Sequence, residues 1–238
     1  MQGKLVEQDL NDETPDILLE RIRSEHEQLV CNGKNKKTKY ESTILRRNNS
    51  YYEQLGENER CIDDEIPFDI PDNWVWCRLG MLCNFGDCDN ADSESIEADA
   101  WLLDLEDIEK DSGRLLQRKR KSEIKSLSTK HRFSVGQVLY SKLRPYLNKV
   151  IIADDNGYCT SEILPLRFIK VVYNRYAQVY LMSPFFVDYA NQCSYGVKMP
   201  RLGTQDGRNA LVPLPSLAEQ HRIVMRIERL LQNIECNN

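Results

Sequence analysis

The chain has 238 residues, 41% of them hydrophobic and 29% charged, enough for one full core with appendages under a wet surface. No run approaches the roughly 18 apolar residues of a membrane span, and the opening MQGKLVEQDLND has no apolar h-region, so neither a membrane-spanning helix nor a secretory signal is expected. The net charge of −5 weighs against a uniformly basic nucleic-acid binder.

In chain order, Thr14-Pro15-Asp16 reads as a helix start, with an N-cap hydroxyl, proline at the first helical position and an acid near the positive end of the dipole. Ile17, Leu18, Leu19, Ile22, Leu29 and Val30 form its apolar stripe, and Asn32-Gly33 closes it. The lysine-rich stretch that follows has little periodicity and reads as a linker over 34–60, with short structure around Tyr51 and Tyr52. Order resumes at Ile66-Pro67. Strands are expected around Trp74–Gly80, Trp101–Leu105, Phe133–Ser141 and Lys149–Ala153. A tight turn at Asp155-Asn156-Gly157 leads into Tyr158–Phe168. Asn174–Met182 and Pro184–Gln192 read as helices. Pro213 and Pro215 close the last apolar run.

At Ser216 the pattern S-x-x-E, completed by Glu219, predicts a capping box, each side chain satisfying a backbone N–H of the new helix. Ile223, Ile227, Leu230 and Ile234 then repeat at heptad spacing, with Val224 and Leu231 beside them. Leu18, Ile22 and Leu29 fit the same register in the first helix, with Glu25 in the seam. Either each stripe packs on its own domain, which is usual, or the two helices pair with each other or with a second chain. The expected organisation is a helical segment over 1–33, the linker, a mixed α/β (α+β) domain with a twisted sheet over 61–215, and a helix over 216–238, with coiled-coil-type helices flanking the domain.

Enzymatic motifs are missing. There is no phosphate-binding glycine loop, no dinucleotide fingerprint and no G-x-S-x-G serine. There is no adenine-methyltransferase motif either. His26, His131 and His221 are scattered, and His26 and His221 fall on helices, where solvated imidazoles are expected. Eight cysteines form no compact framework, consistent with reduced thiols in a cytoplasm, and Cys77, Cys83 and Cys88 lack C-x-x-C spacing. Asp154, Asp155 and Glu162 are acids to weigh for a metal-dependent nuclease site. The hairpin turn explains the first two, and no lysine follows Glu162 closely. No catalytic residue, metal or cofactor is expected, and the chain reads as a binder.

Charge is sharply partitioned. From Asp87 to Asp111 eleven acids face one base, Lys110; from Arg114 to Lys149 eleven bases face one acid, Glu123. Such blocks either neutralise one another on a solvated surface or present a basic face. Arg118, Lys119, Arg120 and Lys121 are candidates for DNA phosphates. Ser141, Lys142, Arg144 and Tyr146, on a loop, combine the residue types that reach base edges and backbone. Lys198, Arg201, Thr204 and Arg208 lie in a later loop that could close on DNA.

Four stretches resemble the specificity subunit of type I restriction-modification systems. IPDNWVWCRLG is similar to the opening of that family's target-recognition domain, and GQVLYSKLRPYLNKVIIADDNGYCTSEILPLR to its centre. GVKMPRLGTQDGRNALVPLPSLAEQHRIV resembles its exit into a conserved helix, and GKLVEQDLNDETPDILLERIRSEHEQL the central conserved region. The resemblance implies a non-catalytic, bacterial or archaeal cytoplasmic subunit that reads double-stranded DNA. Methyltransferase and restriction subunits would be its partners, and its helices would serve as ruler and docking surface. It implies the second half of such a subunit, with one recognition domain and a short C-terminal helix. A homodimer through the helices would then make two equivalent halves. Leu18, Ile22, Leu29, Ile223, Ile227, Leu230 and Ile234 are the expected interface. A second reading makes the chain mainly a scaffold for partner subunits.

Overall fold

A computed structural model of the chain describes residues 1–31, 42–124 and 128–235. The elements open with α1 (Pro15–Cys31), β1 (Ser42–Arg47), β2 (Ser50–Leu55), β3 (Asn58–Cys61), β4 (Val75–Arg78) and α2 (Leu79–Leu82). Then come β5 (Asp89–Ala91), β6 (Trp101–Leu103), β7 (Lys119–Arg120), β8 (Lys130–Phe133), β9 (Val138–Ser141), β10 (Val150–Ile152), β11 (Gly157–Thr160) and β12 (Ile163–Leu166). The chain continues through α3 (Asn174–Met182), α4 (Pro184–Gln192), α5 (Thr204–Asn209), β13 (Leu211–Leu214) and α6 (Leu217–Glu235). The fold is mixed α/β, as expected. Among the described residues no helix is long and apolar enough to cross a membrane.

Contacts divide the chain into two units. One comprises 1–82, 169–176 and 209–238; the other comprises 83–168 and 177–208.

In the first unit, residues 42–61 form an antiparallel meander, β1-β2-β3, where the sequence pattern predicts a linker; residues 34–41 of that stretch lie outside the described residues. Two tight turns build it. Asn48 and Asn49 both have positive φ (50° and 65°) between β1 and β2, the left-handed pair that matches hairpin twist. Gly56, at φ 61°, turns β2 into β3. Burial alternates along β1 and β2, but one inward position is Glu53, only 3% exposed. Arg78 on β4 grips that carboxylate from Nε and Nη2, each at 2.8 Å, and Arg60 adds a bond at 2.6 Å. Burial pushes the Glu53 carboxyl up, but the bonds from Arg78 and Arg60 outweigh it and bring it down to about 2.

The same unit holds both long helices. Leu18 and Ile22 of α1 and Ile223 and Val224 of α6 are buried in it, each side chain contributing about 1.5–3 kcal/mol by leaving water. Residues 169–176 meet both helices. Val171 N donates to Glu25 Oε2 at 3.2 Å, Tyr173 N donates to Gln220 Oε1 at 2.8 Å, and the Tyr173 ring stacks on His221. His26 is buried, with Nδ1 3.2 Å from Met81 O, and is not a solvated imidazole.

The predicted capping box is half built. Glu219 N donates to Ser216 Oγ at 3.1 Å. The Glu219 carboxylate is engaged elsewhere, accepting from Gln8 Nε2 at 2.7 Å and Asn73 Nδ2 at 3.4 Å. Asp12 holds the same helix start through Ser216 Oγ and the Arg222 guanidinium.

The second unit contains a five-stranded sheet, β5-β8-β11-β6-β7, in which only β11–β6 is parallel, and an antiparallel sheet β10-β9-β12. Trp101, Leu103, Phe133, Leu139, Ile151, Cys159 and Ile163 share its core. Trp101 and Phe133 meet edge to face at 5.0 Å, and a Cβ at Gly157 would lie 2.7 Å from the Phe133 ring, so that position needs glycine. The stretch expected as one strand over Phe133–Ser141 is two, β8 and β9, divided by a turn at Gly136 (φ 85°). Helix α4 starts on Ser183, whose Oγ accepts from Phe186 N, with Pro184 in its first turn. Burial drives the Cys83 and Cys159 thiols above their ordinary range and the Cys88 thiol to about 11, as expected of inert structural cysteines.

Candidate nucleic-acid interface

The basic run at 118–121 meets the acidic block. Arg118 pairs with Asp154 and Asp155, and its guanidinium lies 4.1 Å from the Trp101 ring centroid. Lys119 pairs with Glu106 and the fully buried Asp107, which hold its ammonium above the ordinary lysine range. Arg120 donates to Asp99 O at 2.8 Å, and Lys121 donates to Ser93 Oγ at 2.9 Å. Lys119, and Arg114 through Glu109, thus meet acids of the 87–111 block, whereas Arg118 pairs with acids outside it and Arg120 and Lys121 bond a carbonyl and a hydroxyl. Each of these bases already holds a bond within the chain.

The other two candidate loops are zipped together. Lys142 N donates to Glu162 O, and Lys142 O accepts from Leu202 N, both at 3.0 Å. Arg144 N donates to Pro200 O at 2.7 Å, and Leu143 bridges Arg201. Tyr195 and Arg201 exchange both backbone bonds, at 3.1 and 2.9 Å. The Arg201 guanidinium grips the Glu162 carboxylate at 3.0–3.1 Å, which raises its already high pKa further. Glu162 is thus a piece of the mount, and the three acids considered for a nuclease are taken by different arginines, Asp154 and Asp155 by Arg118 and Glu162 by Arg201. Among the described residues no group of three His, Cys, Asp or Glu could hold a metal ion.

On this mount Arg144 is unusual. Its backbone is left-handed (φ 50°, ψ 66°), and so is Asn148 (φ 49°) at the far end of the turn through Pro145-Tyr146-Leu147. Non-glycine residues enter this region at a cost and persist where surrounding bonds impose it. The Arg144 Nε and the Asn148 Oδ1 are buried with no hydrogen-bond partner among the described residues. Tyr146, in the same turn, is 50% exposed. Lys142 and Lys198 form no ion pair among the described residues.

Two expected contacts are occupied internally. Ser141 is buried and donates its hydroxyl to Leu143 O at 3.0 Å, so it cannot reach a groove. Arg208 donates to Phe85 O at 2.8 Å and to Asp87 at 2.9 Å. Thr204 is exposed at the start of α5, its methyl over Gly86, where an added Cβ would lie 2.3 Å away. Lys142, Arg144, Tyr146 and Lys198 are left on one pair of joined loops. Sequence reasoning missed the exposed Tyr195, Val197 and Met199 beside them; the Gly196…Pro200 punctuation was the available signal.

The expected helix seam divides as well. Leu18, Ile22 and Ile223 are buried in the first unit. Ile227 is half-buried, while Leu230, Leu231 and Ile234 are exposed. The side chain of Leu29 lies outside those described.

No family model matches the chain. It is 31% identical over 166 residues to the Escherichia coli type I restriction enzyme EcoDI specificity subunit, covering 70% of this chain and 36% of that protein. It is 30% identical to the E. coli EcoAI specificity subunit, covering 100% of this chain and 38% of that protein. It thus spans under two fifths of the length of these relatives. Among solved structures, the HsdS subunit from Thermoanaerobacter tengcongensis has the same fold over 71% of this chain and 44% of that one, with a TM-score of 0.61 at 22% identity. A chain from a study of complex assembly and conformational transition of the type I R-M system matches at a TM-score of 0.61 and 23% identity, over 71% of this chain and 45% of that one.

Proposed function

Because this chain is homologous to a portion of the type I restriction specificity subunits, we propose that it is a non-catalytic DNA-reading segment of such a subunit. It recognises a portion of a target in double-stranded DNA and directs adenine-N6 methyltransferase and restriction subunits there. The observation that carries this reading is Arg144, a guanidinium with a buried, partnerless Nε, held by strained backbone on the joined loops. A buried donor without a partner costs about 1–3 kcal/mol and marks a guanidinium held for a purpose; the side chain is only partly buried, and its Nη donors are the ones a phosphate oxygen or a guanine edge would meet. Lys142, Lys198 and Tyr146 are the other contacts of this face. The test is equilibrium binding of the chain to random-sequence duplex from low to raised salt. Salt-sensitive affinity that falls on Arg144→Ala is expected; no duplex binding, alone or with the methyltransferase subunit, would sink the reading.

A second reading rests on a different observation, the exposed Leu230, Leu231 and Ile234 of α6. These would dock a methyltransferase subunit, the rest of a specificity subunit, or α6 of a second copy. On this reading Leu230→Asp with Ile234→Asp abolishes co-purification of that partner while the two units keep their melting behaviour.

A further inference from the structure

The hairpin tip 196–200, GVKMP, presents apolar side chains outward. Val197 is 101% exposed and Met199 44%, flanking the exposed Lys198, with Tyr195 62% exposed at the base. Single exposed apolar residues are ordinary; a run of them on a projecting tip is not. Nor is the tip a loose loop. The reciprocal Tyr195–Arg201 bonds close it, Gly196 turns it at φ 97°, and Pro200 stiffens its return. Its base is fixed to Arg144 through Pro200 O and to Glu162 through the Arg201 guanidinium. It therefore stands on the same mount as Arg144, with Lys142, Arg144 and Lys198 as the local charge and their carboxylate neighbour Glu162 taken by Arg201.

We propose that this tip is a wedge: Val197 and Met199 enter a groove of the duplex and unstack a single base step, while Lys198 takes a flanking phosphate. The proposal rests on the DNA-reading function above and adds how some of the sequence is read. Apolar side chains form no hydrogen bonds to base edges, but inserting them favours steps that unstack easily, so the wedge would select a pyrimidine–purine step by deformability. The surrounding positive charge favours DNA over an apolar protein groove as the occupant.

The test begins with the whole chain enriching duplexes from a random-core pool, followed by binding of the enriched duplex carrying 2-aminopurine at successive positions. The wild type should enrich a TA or CA/TG step at one position and raise fluorescence there. Val197→Ser with Met199→Ser, both at exposed sites that leave folding intact, should weaken that duplex by tenfold or more, abolish the fluorescence rise and leave the salt slope as it was. Lys198→Ser should instead weaken all duplexes and reduce the salt slope by about one. A double variant that enriches the same step as strongly overturns the wedge, and so does a wild type that binds without a fluorescence rise. If the double variant keeps its discrimination but loses the methyltransferase subunit, the tip is a protein contact and the wedge is wrong. A wild type that binds no duplex at any salt overturns both the wedge and the DNA-reading function.

Discussion

The Gln8 side-chain amide donates to the Glu219 carboxylate over 2.7 Å, although 211 positions separate them. With Asp12 bonded to Ser216 and Arg222, this contact ties the opening segment to the start of α6. A motif that reads as self-contained capping is a long-range joint.

Glu219 is the costly member of that joint. Burial raises its carboxyl above the usual range, outweighing the bond from Gln8. The folded chain thus holds this proton more readily than the unfolded one. The group's stability contribution is full below the ordinary carboxylate value of about 4.5 and is lost as pH rises through its folded value. Glu219→Gln keeps an acceptor for Gln8 and removes the buried charge. Its melting temperature should equal or exceed wild type at pH 7.5, with the advantage gone at pH 4. A loss at pH 7.5 as large as that of Glu219→Ala would show that the charge itself is needed.

Glu53 has the opposite sign. Its folded value of about 2 lies below the ordinary one, so its contribution is present above pH 4.5 and lost as pH falls toward 2. Glu53→Ala leaves Arg78 buried without its main counter-charge and should cost about 3–5 kcal/mol in urea unfolding at pH 7. The mutant's deficit should shrink below pH 4; a pH-independent deficit would mean that packing, not charge, holds the meander.

The two outcomes of sequence reading in this region have one physical cause. Residues 174–182 and 184–192 were legible as helices because their signals are local: the Met182-Ser183-Pro184 punctuation and helical periodicity. The meander was not, because its inward positions include Glu53, whose partners Arg60 and Arg78 lie 7 and 25 positions away. Polar residues at core positions erase the period-2 pattern unless the pairing is already known. The turn chemistry of Asn48-Asn49 and Gly56 was nevertheless present. At the site, the types and positions of Lys142, Arg144 and Tyr146 were legible. The internal commitment of Ser141, Arg118, Lys119 and Arg208 depends on contacts that no spacing encodes.

His131 gives the second unit a pH limit. Its ring is buried, with Nδ1 2.9 Å from Ile163 O, and burial lowers its pKa from the ordinary 6.5. Its contribution is therefore whole above 6.5 and is lost as pH falls from there through the folded value. Wild-type thermal stability should decline as pH falls below 6.5, and His131→Gln should flatten that decline. An unchanged slope would assign it to other groups.

At the proposed DNA face, Arg144→Ala should reduce duplex affinity about tenfold or more. Arg144→Lys should recover little of it, since an ammonium cannot present the planar donor fork. Full recovery by lysine would identify the contact as simple charge attraction to phosphate.

The left-handed backbone at residue 144 carries an evolutionary consequence. Asparagine is among the side chains that tolerate this conformation, so Arg144→Asn would keep the path of the turn while exchanging a guanidinium for a carboxamide. A guanidinium pairs with guanine and a carboxamide with adenine. On the proposed DNA face, the strain that fixes one side chain would thus also make the turn an exchangeable socket, in which one codon change would respell the DNA being read without rebuilding its frame.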